Sequence, residues 1–196
     1  MKFMNTENTK PSSGIYAVLL LALAAGIFGG SVYLARGWGE MGEGIAAYLS
    51  DFFSSFAENE SQGAVFKTSL ASNLLTLGFI FIMGFFRFGA LGTGAVIIRR
   101  GFIMGFTAAS FIKAYGMRGM LIMLSTMPSV LIYIPAMLIF SAVSVGFSRR
   151  ENKFQKKIIF SYIFFTIIAV SIFCAASFAE GFLTTTFMKL ISPNLT

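Results

Sequence analysis

The chain has no histidine in its 196 residues. That removes the Ser-His-Asp triad, the Cys-His pair and every histidine-containing metal site. A single cysteine, Cys174, rules out an intramolecular disulfide. It lies in an apolar run and reads as a buried packing thiol. Charge is also scarce. Only 12% of the residues are charged, against roughly 25% in ordinary soluble domains. Net charge is +7, yet the basic residues are scattered between apolar runs. That pattern suits the loops of a membrane protein, not the basic face of a nucleic-acid-binding domain. No nucleic-acid partner, cofactor or metal is expected.

What the chain has in abundance is apolar sequence. Hydrophobic residues make up 56% of it and mean hydropathy is +0.79. The expected fold is an all-α integral membrane protein, with residues 1–196 as one multi-pass domain. Five segments are read as membrane helices: 14–34, 70–86, 101–115, one within 119–147, and 158–179. A spanning helix needs about 20 apolar residues, so the third is short and the fourth long. The first run exceeds a signal-peptide core of roughly 7–15 residues. "LALAA" does offer small residues for cleavage; either way the loop that follows faces outward. No internal repeat is visible.

Charge sets the orientation. "SRRENKFQKK" at 148–157 holds Arg149, Arg150, Lys153, Lys156 and Lys157 against Glu151 alone. This is the strongest cytoplasmic signal in the chain. Loop 36–67 instead holds Glu40, Glu43, Asp51, Glu58 and Glu60 against Arg36 and Lys67. It belongs outside. The expected topology is N-terminus cytoplasmic and C-terminus extracytoplasmic, with 180–196 a short exposed tail. Arg118 and Lys113 fit this arrangement least well.

"GWGEMG" at 37–42 matches G-x-G-x-x-G, but it follows a membrane helix and no βαβ unit surrounds it. It reads as a flexible exit from the membrane. Beyond it, Ile45, Leu49, Phe52 and Phe56 recur at helical spacing, with polar residues on the other faces. An amphipathic helix is expected over 44–56. Its apolar face either lies on the bilayer or docks an extracytoplasmic partner, with Tyr48 and Asp51 available beside it. The two uses are compatible.

"FGALGTGAVIIRRGFIMGF" at 88–106 sets Arg99 and Arg100 between glycines. Two adjacent arginines at the centre of one long helix are costly in lipid. They are therefore placed at the cytoplasmic boundary, and 89–98 becomes a re-entrant or interfacial piece. Gly101, Gly105 and Ala109 form a small-xxx-small face for close helix packing.

Pro128 and Pro135 stand two turns apart on one helix face. Each leaves a carbonyl, at Leu124 and Leu131, without its helical donor. Ser125, Thr126, Ser129 or Tyr133 could help to satisfy that backbone. A helix through 119–147 would span roughly 43 Å at 1.5 Å per residue, more than a core of ~30 Å. A break near Pro128 and a kink near Pro135, buried in the protein's packed centre, resolve both facts. None of the acidic residues falls in an assigned span, which argues against an ion-coupled carrier.

With these residues in hand a likeness emerges. Asn73 in "SNLLTLGF", then "RRGFIMGFTAASFIKAYGMRGML", then "MPSVLIYIPAMLIFSAVSVGFSRR" resemble the stage II sporulation protein M family of endospore-forming bacteria. The resemblance implies a non-enzymatic membrane scaffold in the mother cell membrane at the sporulation septum. Such a scaffold gathers a peptidoglycan-remodelling complex for engulfment, with stage II sporulation proteins P and D as partners beside membrane lipid. The alternative, from the residues alone, is a small multi-pass permease or channel component.

Overall fold

Apolar chain in a bilayer must satisfy its own backbone, and a helix does so within one segment. The computed structural model describes residues 13–58, 62–150, 154–184 and 186; the side chains of Phe52 and Phe56 lie outside the described set. The helices are α1 (Ser13–Glu58), α2 (Gln62–Phe85), α3 (Gly89–Tyr115), α4 (Met117–Ser148) and α5 (Lys156–Ala179). A π-helical turn, Glu180–Thr184, extends α5. All five helices contain a stretch long and apolar enough to cross a membrane.

Short connections make α2 to α5 run alternately up and down. Residues 86–88 turn the chain with hydrogen bonds from Phe86 to Met83 and from Gly89 to Phe86. Gly116 alone turns α3 into α4; its φ of 57° is the left-handed conformation that glycine adopts freely. One end of the bundle thus carries Arg87, Arg149 and Arg150. The other carries the start of α2 and the extension of α5.

α1 lies parallel to α3 along a glycine seam. Gly26 and Gly30 sit against the backbone of Ile98 and Phe102, and Gly101 and Gly105 against that of Leu23 and Ile27. A methyl group at any of the four would overlap the facing carbonyl. Close backbone approach of this kind is how membrane helices associate when lipid removes the hydrophobic drive between them. Ser31 Oγ straddles the seam, donating to the carbonyls of Ile27 (2.9 Å) and Gly105 (3.2 Å).

On the far side, Tyr162 of α5 ties α2 to α4. Its ring stacks on Phe147 at 4.2 Å and Phe81 at 5.2 Å. Its hydroxyl donates to the Phe81 carbonyl at 3.0 Å. Ser144 Oγ donates to the Ile80 carbonyl at 2.7 Å. Each aromatic pair contributes about 0.5–1.5 kcal/mol beyond area burial.

Three expectations about the helices are corrected. The first concerns 37–42, which is helix and not an exit: α1 continues through it to Glu58. α1 is nevertheless not straight. Ile27 meets Gly105, and Leu49 meets Phe111. At 1.5 Å per residue these contacts are about 33 Å apart on a straight α1 but only about 9 Å apart on α3. Side chains cannot bridge that difference, so α1 bends between them, where Gly37, Gly39, Gly42 and Gly44 cluster. The amphipathic stretch is the bent continuation of α1, folded over the end of α3.

The second correction is that 89–98 is not re-entrant. α3 is one helix from Gly89 to Tyr115, because Arg100 finds partners inside the bundle. The third is that α4 is not broken at Pro128; the helix runs through both prolines. Leu124 and Leu131, whose carbonyls the prolines deprive, are exposed, and Pro135 itself faces out of the bundle while Pro128 is half-buried. Tyr133 does not rescue them, since its hydroxyl donates to neither carbonyl. The side chains of Ser125 and Thr126 lie outside the described set.

Candidate functional site

α2 carries polar residues at Ser69, Asn73 and Thr76, spaced i, i+4 and i+7 on one face of an otherwise apolar helix. All three are buried. Isolated polar groups at that depth cost several kcal/mol each unless paired, and the bundle pairs them. Asn73 is the hub. Its Nδ2 donates to Ser177 Oγ of α5 at 2.9 Å and to Ser69 Oγ at 3.3 Å. Its Oδ1 accepts from Arg100 Nη2 of α3 at 2.7 Å. Arg100 Nη1 also donates to Ser72 Oγ at 3.3 Å. Its guanidinium carbon lies 4.7 Å from the ring centre of Tyr133 on α4.

At the other end of this chain Ser69 Oγ donates to the carboxylate of Glu180. A cation and an anion are thereby joined through neutral groups, Arg100–Asn73–Ser69–Glu180. Among the described residues neither is ion-paired with an opposite charge. The Glu180 carboxylate was expected elsewhere. The expected exposed tail begins instead as part of the last apolar helix, within the candidate span Lys156–Phe182. An acid does lie in a span, so the objection to an ion-coupled carrier no longer holds.

These side chains floor a cavity of about 630 Å³. Its polar lining includes Ser72, Asn73, Arg100, Ser129, Tyr133 and Glu180. Its walls are apolar, with Ile27, Val65, Ile103, Met104, Phe111 and Met123. Apolar walls around a few convergent polar groups are the usual make-up of a small-molecule site, and about 300–1,000 Å³ is its usual size. The buried Tyr133 hydroxyl makes no well-formed hydrogen bond; Thr76, close by, donates to the Ser72 carbonyl at 2.9 Å and keeps lone pairs turned to that hydroxyl's neighbourhood.

The two arginines expected together at the cytoplasmic boundary are separated by the helix. Arg99 is exposed, whereas Arg100 turns into the bundle near the middle of α3. Arg149 is exposed and Arg150 half-buried at the end of α4. On the bent part of α1, Leu49 is buried against Phe111, with Ile45 and Val65 packed around it. Tyr48 (69% exposed) and Asp51 point outward.

Sequence reasoning missed Ser69, Tyr133 and Glu180. The polar stripe on α2 was the available signal. Among the described residues no cluster of histidine, cysteine or acids could hold a metal ion.

No curated protein and no solved structure matches the chain. The family described as stage II sporulation protein M matches residues 16–185, which take in all five spans and the whole polar chain from Ser69 to Glu180. The chain belongs to the stage II sporulation protein M family, and so to the membrane proteins of sporulation.

Proposed function

We propose that the protein is a non-enzymatic scaffold that recruits peptidoglycan hydrolases to the sporulation septum for engulfment, with stage II sporulation proteins P and D as its partners. The family carries the sporulation half of this reading. The observation that carries the scaffold half is the length of α1. Its 46 residues amount to about 69 Å of helix, more than twice a hydrocarbon core. The surplus is folded over one end of the bundle, held by Leu49 and Ile45, with Tyr48 and Asp51 presented outward. That end carries Lys67, Lys113 and Arg118, whereas the opposite end holds the larger set, Arg87, Arg149, Arg150, Lys156 and Lys157. The positive-inside rule therefore puts the presented surface on the wall side, where hydrolases act. The described end of the α5 extension, Thr184, lies on the same side and the start of α1 on the cytoplasmic side, in the mother cell; the expected positions of the two chain ends fall outside the described residues.

Purified protein incubated with peptidoglycan, free of partners, is expected to release no soluble muropeptides above buffer. Membranes from sporulating cells are expected to yield a hydrolase on the tagged protein. Muropeptide release by the protein alone, or its recovery without any hydrolase, overturns the reading.

A second reading, a permease or channel component, draws on Glu180 and the cavity. Solute-specific flux in proteoliposomes would favour it.

A further inference from the structure

Arg100 and Glu180 line the same cavity, each hydrogen-bonded only to neutral groups among the described residues. Leaving a full charge among helices without a counter-charge is expensive. Arginine has five N–H donors, and two are committed, to Ser72 and Asn73. The Tyr133 hydroxyl, in a residue 5% exposed, makes no well-formed hydrogen bond and belongs to the same lining. The cavity therefore offers unused donors and a cation on one side and a carboxylate on another. Its remaining walls are mostly apolar, with a few hydroxyl groups at Thr68, Thr107 and Ser129.

We propose that this cavity is a binding site for a zwitterionic amphiphile, a phospholipid of the phosphoethanolamine type. The phosphate accepts hydrogen bonds from Arg100 and from the hydroxyl of Tyr133. The ammonium donates to the Glu180 carboxylate, and the acyl carbons lie against Ile103, Met104 and Phe111. Each charge of the site then faces its opposite. A purely anionic headgroup matches Arg100 but is repelled by Glu180. A trimethylammonium headgroup has no N–H to give the carboxylate. A soluble zwitterion leaves the apolar walls unfilled. The cavity shares Phe111 and Val65 with the packing that holds the bent part of α1, but the headgroup preference is read at Arg100 and Glu180, so it stands or falls separately from the scaffold reading.

The test uses the full chain in detergent, freed of co-purifying lipid. Native mass spectrometry counts bound phosphatidylethanolamine, phosphatidylglycerol and phosphatidylcholine, with free phosphoethanolamine as competitor. Wild type is expected to favour phosphatidylethanolamine, with free phosphoethanolamine a poor competitor. Glu180→Gln keeps an acceptor for Ser69 but removes the charge. It should move the preference about tenfold toward phosphatidylglycerol, the scale of one charge-assisted hydrogen bond. Arg100→Gln should weaken both phospholipids by a similar factor. Should Arg100→Gln fail to accumulate, the Glu180→Gln ratio still decides, since a merely structural carboxylate would not change headgroup preference. An unchanged ratio in Glu180→Gln, equal binding of all three lipids by wild type, or competition by free phosphoethanolamine at matching concentration overturns the proposal.

Discussion

Arg100 Nη2 donates to Asn73 Oδ1 across 2.7 Å, joining the middle of α3 to the middle of α2. Asn73 passes the link on to α5 through Ser177. Three helices thus meet at one amide. Asn73→Ala should destabilise the protein by about 1–3 kcal/mol, since a buried hydrogen bond to a charged group is lost and Arg100 is left short of an acceptor. Asn73→Asp should hold Arg100 better while losing the donor to Ser177. Unfolding in mixed micelles measures both. An Asn73→Ala variant as stable as wild type would remove the amide from its place as hub.

The glycine seam predicts position-specific intolerance. A Cβ at Gly105 would run into the Ile27 backbone, and one at Gly26 into that of Ile98. Gly94 and Gly39 have nothing within 4 Å of the same atom. Gly105→Val and Gly26→Val should lower the amount of protein in membranes severalfold, because backbone cannot yield as a flexible side chain can. Gly94→Ala and Gly39→Ala should leave it unchanged. Quantitative blotting of membrane fractions checks this, and equal levels in all four variants would contradict the seam.

The prolines separate in the same way. Pro135 faces out of the bundle, so Pro135→Ala should be neutral or slightly favourable, restoring a donor to the Leu131 carbonyl. Pro128 is half-buried beside Ser129 and Val130, both on the cavity wall. Pro128→Ala should alter that wall and cost stability. Thermal unfolding in detergent ranks the two, and the reverse ranking would refute the assignment.

The spans were legible because apolar runs of this length admit few folds in lipid. The positions of the charges were not. Arg100 looks like an adverse neighbour of Arg99 until Asn73, 27 residues away, and Tyr133 are brought beside it. Glu180 looks like the start of a tail until Ser69, 111 residues away, donates a hydrogen bond to it inside the bundle. Such pairings depend on helix rotation, which hydropathy does not report. α1 shows the opposite failure. Glycines at 37–42 suggested an end to the helix, but helix on both sides carries through them, and with Gly44 they bend it instead.

The proposed orientation rests on the charges at the two ends of the bundle. In a Cys174→Ser background, Glu43→Cys should react with an impermeant thiol reagent in intact cells and Gln155→Cys should not. Both positions are exposed in the fold, and labelling of each after membrane disruption is the access control. Labelling at 155 without labelling at 43 would invert the topology and put the bent part of α1 on the wrong side for a wall enzyme.

The most direct test of the scaffold reading is recovery of the partner hydrolase on tagged protein from sporulating-cell membranes, normalised to the amount of tagged protein. A Tyr48→Ala/Asp51→Arg double variant changes the outward surface and leaves Leu49 and Phe111 in place. It should lower hydrolase recovery roughly tenfold or more, as loss of an aromatic interface anchor does. Ser50→Ala, whose exposed hydroxyl only caps the Ala47 carbonyl at 2.8 Å, should not. Recovery of the hydrolase at wild-type levels on the double variant would contradict docking through this face of α1.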